Sequence, residues 1–245
     1  IEVIGGLLHH GSGPCYTDLL DPGFPAKFAA FAASVAERYP WIRQWTPVNE
    51  PLTTARFSAL YGHWYPHAAT ERAFLRALVN QCLGTLKAMR SIRAVVPDAL
   101  LVQTEDLGKT FSTAPLRYQA TYENQRRWLS FDLLAGRVGP RHPFYRRLVD
   151  NGVGPAELEL LRGGEATPDL IGINYYLTSE RFLDHRTELY PDLPAGGNGR
   201  DRYVDAEAVR VKRLHPHTGI GPRLREACGR YGIPVAVTLV HHGWT

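Results

Sequence analysis

Five short apolar runs lie along the chain, at residues 3–8, 44–48, 99–103, 170–175 and 234–240. They are rich in Val, Ile and Leu with little polar alternation, which is how a parallel strand covered on both faces reads. Stretches of helical period separate them. Residues 25–39 place Phe28, Phe31, Val35 and Tyr39 on one stripe. Residues 71–96 repeat Phe74, Leu78, Cys82, Leu86 and Met89 behind Thr70, a residue suited to an N-cap. Residues 118–134 predict one further helix, stopping before Gly136. Leu224, Cys228 and Tyr231 form the stripe of a last helix, closed by Gly232 and then Pro234. Residues 184–221, rich in Pro, Gly and charge, show little apolar period and read as a long inserted loop.

Alternation of strands and helices predicts βαβ units on a parallel sheet. The expected fold is α/β, a (β/α)8 TIM barrel that is incomplete, because about five strand–helix units use up the length. A doubly wound open sheet is the alternative, but no GxGxxG follows the first strand. No repeat or low-complexity linker divides the chain, so residues 1–245 are read as a single domain.

Composition narrows this picture. With 245 residues and 44% hydrophobic content the chain can bury a sizeable core. The formal charge of +4 is spread out, in pairs such as Arg126-Arg127 and Arg146-Arg147, and does not form the dense stripe that nucleic acid requires. Three cysteines, Cys15, Cys82 and Cys228, have no CxxC spacing, so neither a disulfide framework nor a structural zinc is expected. Cys82 and Cys228 read as small core residues. No apolar run is long enough to cross a bilayer, so no membrane partner is expected. No signal peptide is visible, which points to the cytoplasm. The chain opens on Ile1-Glu2-Val3-Ile4 without an initiator Met and reads as a piece of a longer polypeptide. Nothing in the sequence specifies an oligomeric state.

In parallel α/β proteins the reacting groups sit at the C-terminal ends of the strands. Those ends read His9-His10, Asn49-Glu50-Pro51, Gln103-Thr104-Glu105-Asp106, Asn174-Tyr175-Tyr176 and Thr238-Leu239-Val240-His241-His242. Polar groups crowding the ends of apolar strands are hard to explain by packing. Glu50 is the sharpest case: a carboxyl partly desolvated at a barrel mouth suits a general acid, and Asn49 can hydrogen-bond a hydroxyl. The plainer reading is a Glu that caps the next helix or pairs with Arg56. Glu105 is read as a loop residue or a support for the site.

The segment Trp45-Thr46-Pro47-Val48-Asn49-Glu50-Pro51 resembles the retaining β-glycosidases of glycoside hydrolase family one, where a strand ends in Asn-Glu-Pro and the Glu is the acid/base. Leu8-His9-His10 is similar to the family's third strand end, whose last His binds sugar. Tyr61-Gly62-His63-Trp64-Tyr65-Pro66 resembles its glycine-rich segment after the fourth strand. Phe131-Asp132-Leu133-Leu134-Ala135-Gly136 resembles the segment before the sixth strand. Asp169-Leu170-Ile171-Gly172-Ile173-Asn174-Tyr175-Tyr176 resembles that sixth strand, in which the second Tyr serves the nucleophile. The likeness covers the third to the seventh barrel strand. It implies Glu50 as acid/base, His10, Asn49, Asn174 and Tyr176 as substrate-binding residues, a sugar or glycoside ligand, and neither cofactor nor metal.

One position departs from the pattern. The family's seventh strand ends Thr-Glu-Asn-Gly with Glu as nucleophile, whereas here Val235-Ala236-Val237-Thr238 leads into Leu239. Retaining hydrolysis needs two carboxyls about 5–5.5 Å apart, and leucine neither attacks nor protonates. The expected function is therefore a family-one-like module for β-O-glycosides, of the β-glucosidase type, whose hydrolysis is lost or crippled at Leu239. Two readings compete. A non-catalytic carbohydrate-binding or regulatory barrel would use His10, Asn49 and Glu50 with Trp64, Tyr65, Tyr175 and Tyr176; Trp64 reads as core unless exposed. A metal-dependent barrel hydrolase would draw on His9, His10, His63, His67, His241 and His242, but Pro66 and strand alternation keep these from one face.

Overall fold

The computed structural model describes residues 2–11 and 13–241. In chain order the elements are β1 (Ile4–His9), α1 (Phe24–Arg38), β2 (Gln44–Asn49), α2 (Pro51–Ala55), α3 (Glu71–Val95), β3 (Leu100–Asp106), β4 (Thr110–Ser112), α4 (Arg117–Arg126), α5 (Leu129–Leu134), α6 (Tyr145–Asp150), α7 (Pro155–Arg162), β5 (Leu170–Tyr176), β6 (Arg181–Asp184), β7 (Ala195–Gly197), β8 (Arg202–Glu207), α8 (Ile220–Tyr231) and β9 (Val235–His241). The chain forms two compact units. The first comprises Ile1–Glu105 and Leu129–Gly172, the second Asp106–Trp128 and Ile173–Thr245.

In the first unit the sheet order is β1-β2-β3-β5, which is chain order. β1 and β2 are parallel, with Leu8 level with Val48 and His9 with Asn49. This register brings His10 beside Glu50, one step past the last paired residues. The strand interiors pack tightly: Trp45 is fully buried, and a Cβ on Gly5 would lie 2.9 Å from its ring.

α3 forms where its period predicts. Thr70 Oγ1 accepts from the Ala73 amide at 3.1 Å, and Phe74, Leu78, Cys82, Leu86 and Met89 are all buried. α1 lies against it with Phe24 and Phe28 stacked 5.4 Å apart. Gly84 of α3 makes room for them, since a Cβ there would lie 3.0 Å from the Phe24 ring. Each such fully buried side chain stabilises by about 1.5–3 kcal/mol.

The second unit differs from the sequence expectation. The stretch 184–221 contains β7 and β8, which join β4 and β6 in a sheet of order β4-β6-β8-β7. β4 and β6 run parallel, while β8 is antiparallel to both β6 and β7. Only Val204 and Ala206 of β8 are buried, too short an alternation to stand out in the sequence. Beyond it, the rest of β5 is followed in sheet order by β9.

The helix expected over 118–134 is two helices. α4 ends at Arg126, Trp128 N bonds Gln125 O in a tightened last turn, and α5 starts at Leu129. Arg127 at the break sends its guanidinium to Leu107 O and Glu226. α8 closes on Gly232 in the left-handed region (φ 67°), as expected, but its buried residues are Arg223, Ala227 and Tyr231. Cys228 is exposed, not core.

Candidate functional site

The site residues expected from the sequence fall into two groups, one in each unit. In the first, β2 ends at Asn49, 8% exposed, and the chain turns through Glu50, 2% exposed. Glu50 has φ 47° and His10 φ 53°, both left-handed for residues with a Cβ. Such a conformation costs about 1–2 kcal/mol, and Pro51, which opens α2, follows directly. Glu50 occupies the N-cap position of α2 but does not cap it with its side chain, and Arg56 turns instead to Tyr61 Oη. The plainer alternatives for Glu50 are thereby displaced.

The Glu50 carboxyl faces His10, with Nε2 to Oε2 3.7 Å. The other ring nitrogen of His10, Nδ1, lies 3.1 Å from Thr54 Oγ1. Desolvation, and then the neighbouring His9, hold the His10 imidazole below its ordinary pKa, so it favours the neutral form. Trp64, half-buried rather than core, lies 5.0 Å from the His10 ring and stacks on Phe57 at 4.8 Å. Asn49 Oδ1 accepts from Thr104 Oγ1 at 2.7 Å, which fixes the amide's orientation. Neutral imidazole, amide and carboxyl together can donate to and accept from hydroxyl groups.

A residue that the sequence reading set aside completes this group. Glu105, at the end of β3, is fully buried. Its carboxylate oxygens accept from Leu52 N at 2.8 Å, Thr53 N at 3.3 Å, Thr53 Oγ1 at 3.0 Å and Ser130 Oγ at 2.9 Å. It therefore does the capping of α2 that Glu50 does not. Burial, and then the charge of Glu50, push its pKa up to about 8. The only sequence signal was a carboxyl closing an otherwise apolar strand.

In the second unit, Asn174 is buried at 3% exposure near the end of β5 and accepts from Thr238 Oγ1 at 2.7 Å. Tyr176 is half-buried, its ring 6.0 Å from that of His241. Tyr175 is turned to Glu180, and burial followed by that charge raises its hydroxyl pKa to about 12. Leu239 is half-buried on β9. His242 lies outside the described residues.

Among the described residues no group of three or more His, Cys, Asp or Glu is placed to hold a metal ion. No described helix is long and apolar enough to cross a membrane. Surface cavities of about 310 and 340 Å³ lie in the first unit, lined by residues such as Arg137 and Arg162 or Arg72 and Asn151, and neither is lined by His10, Asn49 or Glu50.

No model of a protein family matches the chain, and no curated protein matches it in sequence. Solved structures do. A β-glucosidase from Thermotoga maritima in complex with deoxynojirimycin superposes with a TM-score of 0.69 at 18% identity, over 91% of this chain and 49% of that one. A β-glucosidase from Thermotoga maritima in complex with azafagomine gives a TM-score of 0.71 at 18% identity and the same coverage. A structure described as a family 1 β-glucosidase from that organism gives 0.69 at 17% identity. The chain thus spans about half the length of the structures it matches. At this identity the likeness establishes the fold: α/β, of the barrel type, and partial.

Proposed function

We propose that the chain is a glycoside hydrolase-like module of the retaining β-glucosidase kind that recognises sugar but has lost hydrolysis. The observation that carries the reading is Glu50: a carboxyl 2% exposed, held left-handed at a strand end and faced by His10. The family-one resemblance of the Asn49-Glu50-Pro51 segment assigns it the acid/base role. The same resemblance gives His10 and Asn49 hydrogen bonds to sugar hydroxyls, and Asn174 and Tyr176 substrate-binding roles.

Leu239 stands where the resemblance puts the nucleophile. Retention requires a carboxylate that attacks the anomeric carbon while the acid protonates the leaving oxygen. An isobutyl side chain forms no glycosyl intermediate, so protonation by Glu50 would have no partner step. Sugar recognition survives that loss, because hydroxyl hydrogen bonds do not depend on the nucleophile. The solved β-glucosidases in complex with deoxynojirimycin and azafagomine support a sugar-like ligand.

The test pairs turnover with binding. No release of nitrophenol from an aryl β-glucoside is expected, while deoxynojirimycin binds by calorimetry and His10→Ala or Glu50→Gln weakens it about tenfold or more, the loss of roughly one charged hydrogen bond. Turnover abolished by Glu50→Gln would overturn the loss of hydrolysis. Failure to bind any sugar-like ligand would overturn recognition.

A further inference from the structure

The cavity of about 310 Å³ in the first unit has a cationic wall. Arg137, Arg141 and Arg162 line it together with His142, Gly136 and Gly139, and its described lining contains no carboxylate. Like charges repel, so the backbone has to bring these arginines together. Gly136, left-handed at φ 69°, closes α5 and turns the chain against the end of α7; a Cβ on it would lie 2.9 Å from the Arg162 carbonyl oxygen. The chain turns again at Gly139, whose amide donates to Arg137 O at 3.1 Å, while His142 N donates to Gly139 O at 2.8 Å. The Arg162 side chain lies over this second turn, its Nε 3.5 Å from where a Cβ on Gly139 would stand. His142 is fixed as wall: Nδ1 accepts from Phe144 N at 3.2 Å, so Nε2 carries the ring proton and faces Asp132 Oδ2 at 3.2 Å. The plainest account of Arg162 is a cation suited to the C-terminus of α7, bonded to Glu159 at 2.8 Å. That account does not explain why Arg137 and Arg141 share its cavity.

Three guanidiniums line the cavity, and Glu159 at its edge offsets one of their charges, which leaves two. A phosphate ester carries a charge of about −1.5 to −2 at neutral pH and presents three acceptor oxygens. Guanidinium forks match phosphate bidentately, and several can share its oxygens, whereas the two oxygens of a carboxylate are filled by a single fork. We propose that this cavity binds the phosphate group of a small ligand, held by Arg141 and Arg162 with Arg137 beside them. Its volume falls at the lower end of the range for small-molecule sites, about 300–1,000 Å³, which admits free phosphate or a phosphate with a short organic substituent. A bound phosphate would tie the loop 136–142 to the end of α7. None of His10, Asn49 and Glu50 lines the cavity, so the inference goes beyond the sugar-binding reading and does not depend on it.

The experiment is calorimetry with inorganic phosphate and, in a second arm, glycerol 3-phosphate, at an ionic strength held constant with chloride so that diffuse attraction is screened alike. Inorganic phosphate is expected to bind with a Kd of about 1 mM or tighter. Arg141→Ala and Arg162→Ala should each weaken it about tenfold or more, the loss of roughly one charged hydrogen bond. Arg141→Lys should weaken it too, since the charge stays and the fork is lost. Arg146→Ala removes a 92% exposed arginine outside the cavity and should leave binding unchanged. Amide NMR shifts on adding phosphate should concentrate in residues 136–142 and at Arg162. Tighter binding of glycerol 3-phosphate assigns an ester as the ligand, and equal or weaker binding assigns free phosphate; either supports the site. No binding of either probe below about 10 mM, an equal loss in Arg146→Ala, or shifts centred elsewhere overturns the proposal. Arg141 is exposed, so its substitution tests binding without disturbing the core. No sugar-like ligand enters these measurements, so this proposal and the glycosidase-like reading fail separately.

Discussion

The two units hold their inward carboxylates by opposite means. In the first, Glu105 accepts from amides and hydroxyls, and burial, then the charge of Glu50, raises its pKa to about 8. In the second, Glu226 is met by Lys109, Arg127 and Arg223, and hydrogen bonds from Lys109 and Arg127 outweigh its burial to hold its pKa below the usual carboxylate range. Glu180, 1% exposed, lies between these cases. It accepts from Gly219 N at 2.6 Å and faces Arg223 at 3.4 Å, yet burial still raises its pKa. Arg127 shows the same cost from the other side: burial lowers its pKa against the pull of Glu226. Burial makes an acid hold its proton, and neutral donors offset that less than cations that retain some water.

The largest test of this contrast is Arg223→Ala. It strands Glu180 without its guanidinium, and urea unfolding should show a loss of about 3–5 kcal/mol. A loss below about 1 kcal/mol would mean that the ion pair is not part of what holds the second unit.

Next in size is pH. The raised Glu105 contributes stability that is complete below its unfolded value of 4.5 and is lost as pH rises through about 8. The lowered Glu226 contributes stability present above 4.5 and lost as pH falls through its folded value. Hydrogen exchange followed segment by segment should therefore weaken α5 and the α2 turn between pH 5 and 8.5, by a few kcal/mol, and weaken α8 on the acid side. Glu105→Gln should remove the first trend and leave the second. A common pH profile for both units would break the comparison.

Smaller effects sharpen it. Thr70→Ala removes the cap of α3 and should cost about 1 kcal/mol by thermal unfolding. Arg146→Ala removes an ion pair whose Arg is 92% exposed, and should change stability by less than about 0.5 kcal/mol. Set beside Arg223, it separates the effect of burial from that of pairing.

The same contrast decides what could be read from the sequence. The parallel strands were legible because they are apolar on both faces, and each observed strand extends only one to three residues beyond its apolar run, into polar residues such as Asn49, Asp106 and His241. α3 was legible because cap and stripe agree. In the second unit α8 and β9 were legible too, but β7 and β8 were not, and charged residues stand in its interior: Arg223 takes the core position that Leu224 and Cys228 were expected to share, and Arg127 stands at the break of a helix that looked continuous. In the site, His10, Asn49 and Glu50 stood out by closing apolar strands. The role of Glu105 depends on Leu52, Thr53 and Ser130, which no local pattern joins to it.

His10 and Glu50 share a backbone geometry in which glycine would be at ease and neither of them is. A redesign that scores each position by how comfortably its residue sits would rewrite these two first. Thermostable variants chosen without a ligand assay would then keep the scaffold and discard the groups proposed to bind sugar. Selection of such variants should therefore retain a binding step, with positions 10 and 50 held fixed.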